Sequence, residues 1–256
     1  MSKASGRLLF KRMAQALRAQ DWAAAAIEFI LVVLGVFLGF QLTQWNDDRQ
    51  DRAREVSLML NVARDLRDDV TEMDENLRNA SFRMAALDRL LRLAGNWNPP
   101  AEFLSSRFVI KVEKVPTLAP DSGYTFGIET FVLATYDGNQ FAYDALINTD
   151  GPNAVSDQAR LSEIQKYYAS VDQLRTFERG LAETRLRVLD SMQAQGLSAV
   201  DRSSFESVAL IARRNPPLRA VIENYWLYTT RQVAITRSLR NDATKLADKI
   251  EAEYQR

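Results

Sequence analysis

The chain has 256 residues, with 33 Lys and Arg balanced by 33 Asp and Glu, and it contains neither histidine nor cysteine. Without histidine there is no Ser-His-Asp triad, no histidine general base and no usual zinc site; without cysteine there is no disulfide and no thiol chemistry. No cofactor motif takes their place, so neither a cofactor nor catalysis is expected.

Charge is distributed unevenly. Residues 1–21 carry Lys3, Arg7, Lys11, Arg12 and Arg18 against Asp21, a net of +4, whereas residues 43–256 carry 28 Lys and Arg against 31 Asp and Glu, a net of −3. A mildly acidic main body excludes a nucleic-acid partner, because that binding depends on a basic face that neutralises phosphates.

After this basic segment comes the longest apolar run of the chain, Ala23 to Leu42, broken only by Glu28. Twenty residues at about 1.5 Å each give a helix of about 30 Å, the thickness of a hydrocarbon core. Trp22 on one side and Trp45 with Asn46 on the other suit the two membrane interfaces. The sequence therefore predicts a single transmembrane helix over 22–45, with the lipid bilayer as first partner. Five basic residues before the span exceed Arg49, Arg52 and Arg54 after it, which keeps the amino terminus cytoplasmic and exports residues 46–256. A cleaved signal peptide is the rival reading, but its apolar core is shorter and ends at a small-x-small site, and here Phe40-Gln41-Leu42-Thr43-Gln44-Trp45 follows.

At 100° per residue, Glu28, Gly35 and Gly39 share one narrow face of the span. The glycines give the small-xxx-small spacing that lets two helices approach closely, so this face predicts a homo-oligomer with Glu28 in its interface. The alternative is that Glu28 snorkels to the cytoplasmic headgroups.

Beyond Trp45 the apolar pattern becomes heptad. Counted from Val56, the a and d positions run Val56, Met59, Ala63, Leu66 and onward to Leu87, Leu91 and Ala94, all apolar. That pattern predicts a long helix over about 46–94, with flanking Leu60, Val62 and Leu90 widening its stripe toward a bundle. Extended backward, the register reaches Leu42, Gly35 and Glu28, so one helix of about 110 Å from Trp22 to Ala94 is expected. Gly95-Asn96-Trp97-Asn98-Pro99-Pro100 stops it. Within it, Asp65, Asp68, Asp69, Glu72, Asp74 and Glu75 read as a solvated face rather than a divalent-cation site.

Residues 101–155 are irregular. Phe108, Ile110 and Val112 alternate like a short strand, and Tyr124–Thr135 and Gln140–Asn148 read as two short helices in preference to a hairpin. Helical periodicity returns over about 157–195. A short helix follows, with Ser203-Ser204-Phe205-Glu206 as a capping box, and a last long helix over about 217–255 starts at Pro217. Tyr167, Tyr168, Tyr225, Trp226 and Tyr228 are candidates for a pocket between helices, although their places on the stripes fit core or inter-helix contact better.

The string E-x6-G-x9-W-N, formed by Glu28, Gly35, Trp45 and Asn46 with Gln41 between, resembles the start of a family of uncharacterised bacterial single-span membrane proteins defined as a domain of unknown function. Thr130-Phe131, Gly138-Asn139 and Tyr167-Tyr168 are similar to its middle region, so the resemblance spans residues 22–170. Gly39 stands where alanine is expected, and Thr149 to Val155 looks like an insertion. The resemblance implies a bacterial inner-membrane address with a periplasmic carboxy-terminal domain, and implies no activity.

Three long amphipathic helices must bury their stripes against one another. The expected fold is therefore all-α: a transmembrane helix continuing into an elongated up-and-down bundle. The expected function is a self-associating membrane-anchored interaction or scaffold protein that engages another envelope protein. The alternative is a ligand-sensing ectodomain that signals through a partner.

Overall fold

The computed structural model describes residues 22–105, 108–112, 117–118, 125–150, 155–200 and 203–255. The basic segment 1–21 and the side chain of Trp22 lie outside the described residues. The chain divides into two compact units, Met1–Arg54 and Glu55–Arg256, and the boundary falls within a single helix, α1, Trp22–Ala94. The described part of the first unit is the amino-terminal stretch of α1.

Among the described residues the second unit is helical apart from one hairpin and an isolated bridge between Phe126 and Ser203. Gly95 at φ 92° and Asn96 at φ 52° turn the chain out of α1, with Gly95 N–H closing on the Arg92 carbonyl. Strands β1, Glu102–Ser105, and β2, Phe108–Lys111, then pair antiparallel, Phe103 opposite Ile110. Sequence reading finds only the second of these strands. Two single helical turns follow, α2, Ile128–Phe131, and α3, Phe141–Ala145, which runs into a π turn at Leu146–Asp150. Of the two expected helices, the first, 124–135, is cut to one turn among its described residues, the second, 140–148, is present as α3 with its π turn, and residues 132–140 between them carry no regular structure.

Helix α4, Gln158–Gln193, is capped by Asp157, whose carboxylate accepts from the Ala159 and Arg160 amides. Helix α5, Phe205–Arg214, is capped by Ser204 accepting from Ser207 N–H. The expected capping box on Ser203 and Glu206 is therefore shifted by one residue. Helix α6, Pro216–Tyr254, starts one proline earlier than expected, with Asn215 as cap and Pro216 at the first turn, where its missing N–H costs nothing.

Contacts fix the helix directions. Arg67 pairs with Asp248 and Glu251, Asp74 with Arg240, and Arg83 meets Gln232 and Thr229, so α1 and α6 run antiparallel. Glu55 meets Ser156 and Asp69 meets Tyr167, so α1 and α4 run parallel. The chain between them, residues 95–157, is the return arm, and its described residues contain no long helix.

Of the twelve a and d residues of α1 from Val56 to Ala94, nine are buried and Val56, Val70 and Leu77 are half-buried. Their partners lie in the same chain, so the seam beyond Glu55 is consumed within the bundle. The core has two parts. One joins Met59, Leu66 and Met73 to Ile164, Tyr168 and Val171 of α4 and to Leu239, Leu246 and Ile250 of α6. The other joins Leu87, Leu90 and Leu91 to Leu181, Val188, Phe205, Tyr225 and Trp226.

Candidate functional site

The two apolar clusters are separated by buried polar side chains from all three long helices. Arg83 on α1 is only 1% exposed, Glu178 on α4 2% and Gln232 on α6 1%. Arg83 donates through Nε to Thr229 Oγ1 at 3.2 Å, through Nη1 to the Val132 carbonyl at 2.7 Å and through Nη2 to Gln232 Oε1, and its guanidinium lies over the Tyr225 ring. Gln232 turns its amide Nε2 to Glu178 Oε1 at 2.9 Å, and Glu178 Oε2 accepts from Tyr136 N–H at 2.9 Å. A neutral amide thus separates a buried cation from a buried anion. Burial pushes the Arg83 guanidinium below its ordinary value and the Glu178 carboxyl above its own. Such an array is costly to bury and fixes one register of the three helices, because slipping any of them strands a charge.

The acids of α1 belong to the same construction. Glu72 takes the Asp137 and Gly138 amides at 2.7 and 3.2 Å. Asp69 takes Asn139 N–H at 3.3 Å and the Tyr167 hydroxyl at 2.8 Å, and Asp65 takes Ala142 N–H at 2.9 Å and Asn139 Nδ2 at 3.3 Å. From the far side Arg175 donates to the Asp137 and Gly138 carbonyls at 2.6 and 3.2 Å. The reading of this run as a solvated face is corrected for Asp65 and Asp69, which are 8% and 1% exposed. They supply acceptors to a loop that has no ladder of its own. Desolvation raises both carboxyls, most directly opposed by the Ala142 amide at Asp65 and by tyrosine hydroxyls at Asp69. Among the described residues no cluster of acids is arranged to hold a metal ion.

The five candidate pocket aromatics are not brought together. Tyr167 and Tyr168 are buried in the first apolar cluster, where Tyr168 stacks on Tyr143 at 4.2 Å. Tyr225 and Trp226 are buried in the second, with Tyr228 against it, and Trp97 meets Trp226 edge-on at 5.2 Å. The polar residues lie between the two groups. They are core, as their stripe positions indicate, and the single pocket they suggest is not formed.

The span residues have the opposite character. Every large apolar side chain from Ile27 to Leu42 is exposed, from 47% at Leu34 to 70% at Phe29. Glu28 and Asn46 are exposed as well, and a Cβ built at Gly35 or Gly39 meets nothing within 4 Å. Trp45 is 64% exposed with Arg49 over its ring at 6.0 Å, and Thr43 Oγ1 bonds back to the Gly39 carbonyl at 3.0 Å. This helix is long and apolar enough to cross a membrane.

No family model, no curated protein and no solved structure matches this chain. The class that the fold itself defines is an all-α bundle preceded by a long apolar helix.

Proposed function

We propose that this protein is a membrane-anchored helical interaction or scaffold protein of the bacterial envelope, held by one transmembrane helix with its amino terminus cytoplasmic and its bundle periplasmic. The observation that carries this reading is the apolar stretch Ile27–Leu42, exposed on every side of its helix. An apolar patch of that extent on a soluble surface is an association site or a membrane segment, and its length matches the hydrocarbon core. The resemblance carried by Glu28, Gly35, Trp45 and Asn46 supports the same address.

Self-association is assigned to the span alone. The seam of α1 beyond Glu55 is already filled by α4 and α6, whereas Gly35 and Gly39 leave open space where a second helix can approach. The bundle is then free to engage a second envelope protein, and no step of this role requires catalysis or a cofactor.

Two measurements in native membranes test it. Alkaline extraction should leave the protein in the membrane pellet, and cysteines introduced at Gly35 and Gly39 should form disulfide-linked dimers. Release by alkali sinks the anchor; crosslinks no more abundant than at the control position Phe37 sink the span interface.

A further inference from the structure

The seam between α4 and α6 is not closed along its whole length. A cavity of about 450 Å³ opens there, walled by β2 on one side and by Phe177 of α4 and Arg231, Ile235 and Leu239 of α6 on the others. This volume lies within the range of small-molecule sites. It belongs neither to the buried polar array nor to the span, so its use goes beyond the anchoring role.

Arg231 is the most prepared side chain in this wall. Its guanidinium sits over the Phe177 ring at 4.6 Å, and Phe177 in turn stacks on Tyr228 at 5.8 Å with the rings 10° from parallel. This cation–π contact holds the guanidinium at the cavity wall without using any of its N–H donors on an oxygen. Among the described residues no carboxylate lies within ion-pair distance of it. Most arginines of the bundle are spent differently: Arg67, Arg160, Arg219 and Arg240 each pair with an acid. Lys111 of β2 brings a second cation to the same cavity, and it too pairs with no described acid.

The apolar part of the lining, Val109, Ile110, Ala234, Ile235 and Leu239, faces these cations. Among the described lining residues Asp242 is the only acid, and it stands eleven residues from Arg231, about 16 Å along α6. Beyond it an adjoining cavity of about 250 Å³ adds Lys166, Lys245 and Lys249, of which Lys249 is engaged by Glu163 at 2.9 Å. Cations therefore outnumber acids along this seam, although the bundle from residue 55 onward carries 25 Lys and Arg against 28 Asp and Glu. Local positive excess in an acidic unit, beside apolar surface, is the signature of a site for an anion with an apolar body.

We propose that the cavity between β2 and the α4–α6 seam binds a small organic oxyanion, a carboxylate or phosphate with an apolar body, as a free solute. Arg231 grips two oxygens of the head edge-on, Lys111 adds charge from the strand, and Ile110, Ile235 and Leu239 cover the body.

The test uses full-length protein in phosphatidylcholine nanodiscs, with 4-phenylbutyrate as the carboxylate probe, octyl phosphate as the phosphate probe and 4-phenylbutanamide as the uncharged control. Saturation-transfer NMR and calorimetry read binding, and the melting temperature of the bundle reads linkage. At least one anionic probe should bind and raise the melting temperature, the amide should not, and Arg231→Gln and Lys111→Gln should each weaken binding about tenfold. Arg187→Gln, on an exposed part of α4, should change nothing. If Arg231→Gln fails to fold, Lys111→Gln decides alone. Equal binding of acid and amide, unchanged affinity in folded variants, or failure of both anions to bind overturns the proposal. Loss of probe binding when the discs contain phosphatidylglycerol assigns the site to a lipid headgroup and overturns the free-solute reading. Probe binding and its loss in the Arg231 and Lys111 variants are read at residues of the second unit and can be repeated in detergent, so only the phosphatidylglycerol arm rests on the proposed anchor.

Discussion

The Tyr254 hydroxyl donates to a Glu55 carboxylate oxygen across 3.1 Å, joining residues 199 positions apart. The same oxygen accepts from the Ser156 amide and hydroxyl, both at 2.8 Å, and Glu55 is only 4% exposed. The chain's entry into the bundle, the start of α4 and the last turn of α6 therefore meet on one carboxylate. Removing one donor should be mild and removing the acceptor severe. Tyr254→Phe is expected to lower stability by about 1 kcal/mol, and Glu55→Ala by about 2–3 kcal/mol, because the buried Tyr254 hydroxyl and both Ser156 donors then lose this acceptor. Urea unfolding followed by circular dichroism measures both, and equal losses would remove the clasp from the account.

Gly138 offers a sharper case of backbone necessity. Its φ is +49°, and a Cβ placed there would overlap the Tyr136 ring. Its amide and carbonyl are held by Glu72 and Arg175, so the loop has little freedom to shift. Gly138→Ala should cost at least about 2–3 kcal/mol, combining left-handed strain of about 1 kcal/mol with the clash. Tyr136→Ala in the same chain should recover the clash but not the strain. A double-mutant cycle on thermal unfolding checks this, with the double mutant less destabilised than the sum of the singles.

These two sites show where sequence reading reaches and where it stops. The α1 seam is legible because burial on one helix face leaves a periodic trace, and Asp157, Gly95 and Asn215-Pro216 mark helix ends by local chemistry alone. Residues 132–142 leave no such trace. Several of their backbone groups are satisfied by Asp65, Asp69, Glu72, Arg83 and Glu178, which are distant in sequence and look like ordinary surface charges. The aromatics are core, as their stripe positions indicate, but spacing alone does not show that Tyr168 and Tyr225 fall in two different clusters.

The same buried acids predict the pH dependence. Asp65, Asp69 and Glu178 are all raised, chiefly by desolvation, from ordinary values of 3.8, 3.8 and 4.5. A raised carboxyl takes up its proton in the folded state at a pH where the unfolded chain remains ionised. Its contribution is fully present below the unfolded value and is lost as pH rises through the folded one. The bundle should therefore be more stable at mildly acidic pH than at neutrality, until pH falls toward 4 and Glu163, lowered by its Lys249 contact, begins to lose its own contribution. Urea midpoints between neutrality and pH 5 should rise as pH falls, and Glu178→Gln should shallow the slope. A slope of the opposite sign would show that these carboxyls are held charged.

The continuity of α1 carries the last prediction. One helix runs unbroken from Trp22 to Ala94, yet the second unit begins only at Glu55, so Asn46 and Asp47 lie on a stretch of helix outside it. A proline pair inserted there breaks the ladder and clashes with the preceding turn, at about 3 kcal/mol or more per proline to the helix. The melting temperature of the bundle should be unchanged, because its seam begins at Val56. Dimers trapped at Gly35 should persist, because the span faces are untouched. What should fall is crosslinking between bundles of neighbouring copies, read with cysteines on exposed positions such as Arg78 and Arg187. Bundle crosslinking that survives the proline pair would mean that the bundles associate independently of the first unit, and that α1 transmits no register from it.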